Sequence, residues 1–240
     1  MKKHRLFCFG HRGARGHEPE NTVRSVRKAL ALGADGIEID VYSIDGRVIV
    51  IHDNTLDRTT NGKGRLEGKT FTYLRSLDAG EGERIPTLGE IFRAVNRRAV
   101  INIELKGPGT AAPVGGLITD HVRHRGWRFA DFLVSSFDWH QLREVKSICP
   151  RVRIGLLTDK IPADFLKTAK AMNAWSIHPA AKKVTRPLVT AAHRQGLKVF
   201  AYTVNQPTQI DAMEKLRVDG VFTDFPERIT NRSSTIHRTA

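Results

Sequence analysis

With 240 residues, of which 40% are hydrophobic, the chain is long enough to bury a sizeable core. No apolar run approaches the ~18 residues of a membrane-spanning helix, and the run at residues 6–9 is too short for a signal peptide, so we expect a cytoplasmic protein. The net charge of +14 is scattered along the chain without a nucleic-acid motif. This pattern disfavours nucleic-acid binding and favours anionic small molecules, with weak association with an anionic membrane surface as a further candidate.

The first predicted strand covers residues 6–10 and ends abruptly in His11 and Arg12. A helix follows, capped by either Asn21 or Thr22, because both side chains can accept a hydrogen bond from the first helical turn. Ligands of α/β proteins bind at the carboxyl ends of parallel strands. His11 and Arg12 are therefore candidate site residues.

Two strand-like runs, residues 36–41 and 48–53, are joined by an Asp-Gly turn at residues 45–46. An Asp-Gly pair between such runs is the strongest short-range signal of a β-hairpin. Folding the hairpin about this turn brings Ile51 opposite Asp40. His52 should then lie beside the acidic residues of the first run.

Glu38 and Asp40 are two residues apart and project from the same face of their strand. Two carboxylates on one face repel each other, so a cation or a shared proton should accompany them. A polar, solvated strand face is the alternative explanation. The apolar alternation of the intervening residues argues that the opposite face is packed, and we treat the pair as a candidate metal site.

A third strand-like run, residues 99–107, places Asn102, Glu104 and Lys106 on one strand face.

The segment between the hairpin and this run, residues 54–86, is a Gly-, Thr- and charge-rich insertion that is longer than an ordinary connection and adjoins the proposed site. The insertion is either a functional lid or a structural cap.

The remaining strand-like runs are separated by plausible helices, one of which opens with a capping box at Thr87 and Glu90. If residues 48–53 are only the return arm of the hairpin, eight strands can run parallel. This alternation predicts an α/β fold, a (β/α)8 TIM barrel, in a single domain over residues 1–240 with the insertion at about residues 54–86. The later strands are predicted at residues 132–137, 152–157, 174–178, 197–204 and 218–223.

Eight short motifs follow one another along nearly the whole chain: His11-Arg12-Gly13, Pro19-Glu20-Asn21-Thr22, Glu38-Ile39-Asp40-Val41, His52-Asp53, Glu104-Leu105-Lys106, Ser135-Ser136-Phe137, Tyr202-Thr203-Val204-Asn205 and Asp219-Gly220-Val221-Phe222-Thr223-Asp224. No single motif is specific, but in this order and spacing the set resembles the signature of the glycerophosphodiester phosphodiesterases, in particular of bacterial cytoplasmic members. One departure is Tyr202, where the family often has Trp.

The resemblance implies hydrolysis of small-molecule glycerophosphodiesters to glycerol 3-phosphate and an alcohol. Carboxylates are hard oxygen ligands suited to Mg²⁺ or Ca²⁺, histidines can share acid and base roles, and Arg and Lys can hold phosphate oxygens. The nearby glycerol 2-hydroxyl is a built-in nucleophile, so a cyclic phosphate intermediate is a hypothesis. The assigned residues are Glu38, Asp40 and Glu104 for the metal, His11 and His52 for catalysis, and Arg12 and Lys106 for the substrate phosphate.

Four further residues have two explanations each. Glu20 either contacts the metal, the substrate or a histidine, or stabilises its loop, and Asp53 either orients His52 or simply continues the loop. Phe137 and Tyr202 either form the wall of the pocket or belong to the core.

Two other functions stay open at this stage. A phosphodiesterase of lysophospholipid or sphingolipid headgroups would share the same catalytic residues, and an apolar groove in the insertion would point to it. A catalytically silent phosphodiester-binding barrel should have lost a ligand or a histidine, and this chain has lost neither. The sequence leaves the headgroup, the preferred metal and the oligomeric state undetermined.

Overall fold

The structure is a computed structural model that describes residues 5–234, with the backbone alone for Ser233 and Ser234. No helix within this range is both long and apolar enough to cross a membrane. The strands are β1 (Phe7–Gly10), β2 (Gly36–Ile44), β3 (Arg47–Val50), β4 (Val100–Leu105), β5 (Phe132–Ser136), β6 (Arg153–Thr158), β7 (Ser176–Pro179), β8 (Lys198–Ala201) and β9 (Gly220–Thr223). The α-helices are α1 (Val23–Ala31), α2 (Phe71–Ser76), α3 (Leu88–Val95), α4 (Ala111–His124), α5 (Trp139–Ile148), α6 (Phe165–Ala171), α7 (Arg186–Arg194), α8 (Pro207–Leu216) and α9 (Glu227–Ser234).

Eight parallel strands close into a barrel, and helices surround it. The strand order is β1-β9-β8-β7-β6-β5-β4-β2, and pairing of β1 with β2 closes the ring. The predicted (β/α)8 fold is confirmed. A single domain over residues 1–240 stays a prediction, because both chain ends lie outside the described residues.

Strand β3 lies outside the barrel as the antiparallel return arm of β2. Val41 pairs with Val50, and the amide of Ile51 donates to the carbonyl of Asp40 at 3.0 Å, so the predicted register is confirmed. Asp45 and Gly46 both have positive φ, 50° and 71°, as a two-residue turn between twisted strands requires.

Two of the helix starts follow their predicted caps. Thr22, not Asn21, caps α1 by accepting a hydrogen bond from the amide of Ser25. Thr87 and Glu90 form the expected capping box of α3, in which each side chain accepts from the other's backbone amide.

The apolar side chains form three clusters. The largest lies between the strands and the helices, and a smaller aromatic cluster that includes Phe9, Phe200 and Phe222 fills the barrel interior. The third belongs to the insertion, where Leu74 of α2 and other buried residues pack on Ile49 and Ile51 of the hairpin arm. The insertion therefore has its own small core, anchored to the strand arm that leads to His52.

The two ends of the barrel differ in charge. Because the helices run opposite to the strands, each helix ends at the face where the next strand starts, which is the face opposite the carboxyl ends of the strands. Exposed cations accumulate there, and we call this surface the basic face. It comprises Arg97, Arg98, Arg125, Arg128, Arg151, Arg194, Lys198 and Arg217.

Candidate active site

Three carboxylates converge at the carboxyl ends of β2 and β4. Parallel pairing places Asp40 beside Glu104 and Glu38 beside Asn102. One oxygen from each of Glu38, Asp40 and Glu104 lies within 4.8 Å of the others. Burial, reinforced by the neighbouring acids, raises the pKa of Glu38 well above its ordinary value and that of Glu104 to about 7. The three acids therefore repel one another in a buried setting that disfavours their charged forms.

These residues fit a divalent cation on two counts. Carboxylates are hard oxygen ligands, the kind that Mg²⁺ and Ca²⁺ prefer. In addition, Glu38 Oε1 and Asn102 Oδ1 are buried side-chain oxygens without a hydrogen-bond partner within the described residues. Unpaired buried oxygens are costly, and a cation would satisfy them.

Three other oxygens of the acidic cluster accept hydrogen bonds from neighbouring groups. Asp40 Oδ2 accepts a hydrogen bond from Asn21 Nδ2 at 2.9 Å, and Glu38 Oε2 accepts one from the backbone amide of Arg12 at 2.9 Å. Lys106 Nζ donates to Glu104 Oε1 at 2.9 Å. Burial alone would lower the pKa of Lys106, but Glu104 and Asp40 raise it, so the ammonium stays charged.

Arg12 is buried among acids. Its Nη1 donates to Glu20 Oε1 at 2.6 Å, and its Nε lies 3.3 Å from Asp40 Oδ2. Burial acts to lower the pKa of Arg12, and the charges of Asp40 and Glu20 more than offset it. The guanidinium predicted to hold phosphate is thus already engaged by two carboxylates, although Arg12 still lines the cavity.

His11, at the end of β1, is oriented by a residue from the far end of the chain. Its Nδ1 lies 2.6 Å from Asp224 Oδ1, just beyond β9, and Asn205 Nδ2 donates to the second oxygen of Asp224 at 2.7 Å. A carboxylate accepts only, so Nδ1 carries the proton and Nε2 is left for the cavity. Burial raises the pKa of Asp224, but the hydrogen bond with His11 lowers it overall.

His52 is oriented in the same way by its neighbour in sequence. Its Nδ1 lies 2.6 Å from Asp53 Oδ1, and Lys106 Nζ lies 3.3 Å from its Nε2. Burial lowers the pKa of His52 below its ordinary value, although Asp40 and Asp53 act in the opposite direction. The lowered pKa favours the neutral imidazole, and the contacts of its two nitrogens place the proton on Nδ1 and the lone pair on Nε2.

Both histidines line one cavity of about 270 Å³ above the acidic cluster. Phe137, 43% exposed, and Tyr202 face each other edge to face across it, with ring centroids 6.0 Å apart. The hydroxyl of Tyr202 donates to Asp159 Oδ1 at 2.8 Å, so the phenol is directed away from the acids. The cavity is lined by His11, Arg12, Arg15, Glu38, His52, Asn102, Glu104, Lys106, Phe137, Leu157, Tyr202, Thr203 and Phe222.

His178 lies elsewhere, in the barrel interior. Its Nε2 is 2.8 Å from Ser176 Oγ, and its ring contacts Phe200 and Phe222. Burial lowers the pKa of His178 to about 3, so it stays neutral. These contacts suit a core residue.

Sequence reasoning overlooked several residues that hold or line the site. Asp224 and Asn205 enter the sequence analysis only as parts of the matching motifs, yet Asp224 orients His11 and Asn205 holds Asp224. Barrel active sites lie at the carboxyl ends of the strands, so a carboxylate just after the predicted strand at residues 218–223 could have indicated a site residue. Arg15 lines the cavity, with its Nε 3.7 Å from Asp224 and 3.9 Å from Glu20. No local pattern marks Arg15.

Comparisons with known proteins agree with this geometry. A glycerophosphodiester phosphodiesterase of Caldanaerobacter subterraneus subsp. tengcongensis is 38% identical over 238 residues, covering 95% of this chain and 97% of the relative. One of Bacillus altitudinis is 38% identical over 237 residues, covering 92% and 95%. A phosphodiesterase of Oleispira antarctica, solved in complex with the product sn-glycerol-3-phosphate, superposes with a TM-score of 0.88 at 27% identity, covering 95% of this chain and 96% of that one.

The family model matches residues 11–228, a span that includes every candidate site residue named above. The matched range and the alignments with the two relatives cover both the barrel and its candidate site. The chain belongs to the glycerophosphoryl diester phosphodiesterase family.

Proposed function

We propose that this enzyme hydrolyses glycerophosphodiesters to glycerol 3-phosphate and an alcohol, with a divalent metal and two histidines. The observation that carries the proposal is a single cavity lined by His11, His52 and two acids of the cluster, Glu38 and Glu104, with Asp40 buried beside them. The structure of the Oleispira antarctica relative with sn-glycerol-3-phosphate supports the substrate class.

Glu38, Asp40 and Glu104 are the residues that would hold the metal. When bound, Mg²⁺ or Ca²⁺ would act as a Lewis acid on a non-bridging phosphate oxygen. Lys106 is charged and lines the cavity, and it would hold a second phosphate oxygen. Arg12 also lines the cavity and would add positive charge near the phosphate, while Glu20 and Asp40 fix the position of its guanidinium.

The two histidines divide the proton transfers of the first step. His52, neutral and with its lone pair on Nε2, takes the proton of the glycerol 2-hydroxyl as that oxygen attacks phosphorus. His11, when protonated, donates from Nε2 to the oxygen of the departing alcohol as its bond to phosphorus breaks. The product of this step is a cyclic glycerol phosphate.

Water completes the reaction with the roles reversed. His11 now removes a proton from water as the water oxygen attacks phosphorus, and His52 returns its proton to the glycerol 2-oxygen as the ring opens. Both side chains end in the protonation states in which they started. Glycerol 3-phosphate leaves.

A substrate panel tests the activity and the metal together. We expect turnover of glycerophosphodiesters with Mg²⁺, Ca²⁺ or Mn²⁺ added and none in excess EDTA. Undiminished turnover in EDTA would remove the metal from the proposal, and turnover of lysolipids alone would change the substrate class.

A deoxy substrate tests the cyclic intermediate. An analogue that lacks the glycerol 2-hydroxyl should still bind, because its phosphate is intact, yet hardly turn over, because a tethered hydroxyl reaches effective molarities that water cannot match. Hydrolysis of the analogue at a near-normal rate would mean that water attacks directly.

Lysolipid hydrolysis has no specific observation in its favour. The apolar side chains of the insertion, among them Leu56, Leu66 and Leu74, lie in its buried core. The second cavity, about 520 Å³ between the insertion and the loop at residues 15–20, is lined mostly by polar residues such as Arg58 and Asn61. A small polar headgroup suits these walls better than an acyl chain.

The location of the enzyme and its weak association with anionic membranes also stay proposals. Cations on the basic face support the association, because anionic headgroups attract Lys and Arg within a Debye length of the surface. Docking through that face would leave the cavity open to the solvent side, where cytoplasmic, water-soluble glycerophosphodiesters are found.

A further inference from the structure

We propose that Arg58, a residue of the insertion, is a positioning residue that fixes Asp53 behind His52 and Glu20 behind Arg12 at the same time. The proposal rests on the proposed function, since it concerns how that reaction's groups are held. It makes the insertion a working part of the active site and not only a cover.

The guanidinium of Arg58 bridges two carboxylates. Toward Asp53, Nε donates to Oδ2 at 2.6 Å and Nη2 to Oδ1 at 3.1 Å. Toward Glu20, Nη1 donates to Oε2 and Nη2 to Oε1, both at 2.8 Å. All three nitrogens are used, and Nη2 is shared between the carboxylates. Only the planar fork of arginine offers donors in this arrangement.

Each carboxylate contacts a site residue on its other side. Asp53 Oδ1 is 2.6 Å from His52 Nδ1, and Glu20 Oε1 accepts from Arg12 Nη1 at 2.6 Å. An unbroken chain of contacts therefore runs from His52 through Asp53, Arg58 and Glu20 to Arg12. Arg58 lines the second cavity but not the one lined by both histidines, so its effect on the histidines passes through Asp53 and Glu20.

The charges along this chain are mutually stabilising. Hydrogen bonds from Arg58 lower the pKa of Asp53 below its ordinary value. Burial raises the pKa of Glu20, but Arg58 and Arg12 lower it to about 2. Both groups are thus carboxylates that can only accept hydrogen bonds, so His52 Nδ1 carries a proton and donates to Asp53.

The consequence for catalysis concerns the tautomer of His52. Asp53 holds the proton on Nδ1 at 2.6 Å, and the ammonium of Lys106, 3.3 Å from Nε2, also favours a lone pair on that atom. Without Arg58, Asp53 gains rotational freedom, so the tautomer depends on the longer contact with Lys106. The form with Nε2 protonated, which cannot act as a base, then becomes accessible. Supporting partners of this kind are typically worth roughly 10–100-fold in activity.

Three variants test the proposal through kinetics. We expect Arg58→Ala to lower kcat by roughly 10–100-fold with KM changed less than about threefold. Arg58→Lys should be nearly as impaired, because a point charge cannot bridge two carboxylates. Arg65→Ala is the matched control: Arg65 belongs to the same insertion, and its Nε lies 3.7 Å from the exposed Glu67. Added guanidinium ion should partly restore Arg58→Ala.

Full activity of Arg58→Ala or Arg58→Lys would overturn the proposal. Equal loss in Arg65→Ala would also overturn it, since the effect would then come from the insertion as a whole.

A second readout does not depend on turnover. The ¹⁵N resonances of the His52 ring should report a Nδ1-protonated neutral tautomer in the unmodified enzyme and a mixture in Arg58→Ala, with circular dichroism unchanged. An unaltered tautomer in Arg58→Ala would contradict the proposal. If the unmodified enzyme fails to hydrolyse glycerophosphodiesters, the proposed function fails, but this measurement still decides the role of Arg58.

Discussion

At the scale of single residues, the site contains two histidine–carboxylate pairs of the same kind. His11 and His52 each direct Nδ1 toward a carboxylate at 2.6 Å and line the same cavity, and Nε2 of His52 also lies 3.3 Å from Lys106 Nζ. The second neighbours differ, however. Asp224 accepts from the amide of Asn205, with Arg15 Nε 3.7 Å away, whereas Asp53 accepts directly from the cation Arg58. Both carboxylates are thus held in place by a second group and fix the Nδ1 proton of their histidine.

The first prediction concerns these pairs. His11→Ala and His52→Ala should each reduce kcat by roughly 10²–10⁴-fold, the usual contribution of a positioned acid or base. Asp224→Asn should cost roughly 10–100-fold, because the amide no longer fixes the Nδ1 proton. Steady-state kinetics checks the series, with His140→Ala, exposed on α5, as the control. A mild His52→Ala would contradict the hairpin-based assignment.

The second prediction concerns the metal ligands. Glu38→Gln should abolish activity, as should Ala at Asp40 or Glu104. In EDTA, however, Glu38→Gln should raise Tm by about 2–4 °C, the shift that ~1 kcal/mol gives in a protein of this size. The reason is that the Gln side chain removes one negative charge from the acidic cluster and can place an NH₂ group, a hydrogen-bond donor to the other acids, where the unpaired Oε1 lies. Thermal unfolding with and without Mg²⁺ checks this: the Mg²⁺-induced rise in Tm should vanish in the variant, and an unchanged rise would exclude Glu38 as a ligand.

The third prediction is a pH dependence. The pKa of Glu20 falls from 4.5 in the unfolded chain to about 2 in the fold, so its stabilisation is complete above pH 4.5 and disappears as pH falls toward 2. Glu20→Gln should therefore lower the free energy of unfolding by about 2 kcal/mol at pH 6 and by clearly less at pH 3. Urea unfolding at both pH values checks this, with the exposed Glu67→Gln as the control. A pH-independent difference would contradict the charge-based explanation.

Proximity in sequence decides which of these contacts can be foreseen. Asp53 adjoins His52, so the pair is visible in the sequence, and the Asp-Gly turn fixes Ile51 opposite Asp40. The partner of His11 lies 213 positions away, and only a closed barrel brings it near. A local sequence pattern cannot show which residues so far apart in the chain will come into contact.

At the scale of elements, β2 organises the site. Its nine residues pair with β1 at the start, with β4 along the middle and with β3 at the end. One long strand therefore presents two metal-ligand candidates and also carries the hairpin arm that leads to His52. The alternation of β2 was readable in the sequence, whereas the choice of Thr22 over Asn21 as a cap depended on the engagement of Asn21 with Asp40.

The fourth prediction concerns the insertion as an element. Leu74 of α2 is fully buried in the separate core of the insertion. Leu74→Ala should cost about 2–5 kcal/mol of local stability and lower kcat by loosening the segment that carries Arg58. Amide hydrogen exchange checks this: protection should fall within residues 54–86 and persist in β4 and β5. Equal loss in those strands would show that the insertion and the barrel unfold as one unit.

At the scale of the whole molecule, charge is distributed unevenly between the two ends of the barrel. The cavity end balances its cations with carboxylates such as Glu20, Asp53 and Asp224. On the basic face, Asp120, Asp131 and Asp219 pair with Arg125, Arg128 and Lys198. The other five cations of this face form no ion pair within the described residues, so part of the excess positive charge lies opposite the site.

The fifth prediction follows from this asymmetry. The enzyme should sediment with phosphatidylglycerol-containing vesicles at low salt and be released by salt of about 0.3 M or more, as screening shortens the Debye length. Replacing Arg97, Arg125 and Arg151 by Ser should weaken sedimentation several-fold. Replacing the exposed Lys160, Lys182 and Lys183, at the cavity end, by Ser removes the same charge and should have little effect. Equal loss in both triple variants would show that net charge alone, and not the basic face, is responsible.

Closure of the barrel sets an order of events during synthesis. Strand β9 lies between β8 and β1, with Phe9 opposite Phe222, and Asp224 reaches His11 only when this last strand is in place. The chain must therefore be synthesised through Asp224 before His11 can acquire its partner. Strands β2 and β4 precede β9, so a nascent chain contains Glu38, Asp40 and Glu104 well before it contains Asp224. An oriented His11 therefore has to wait for β9.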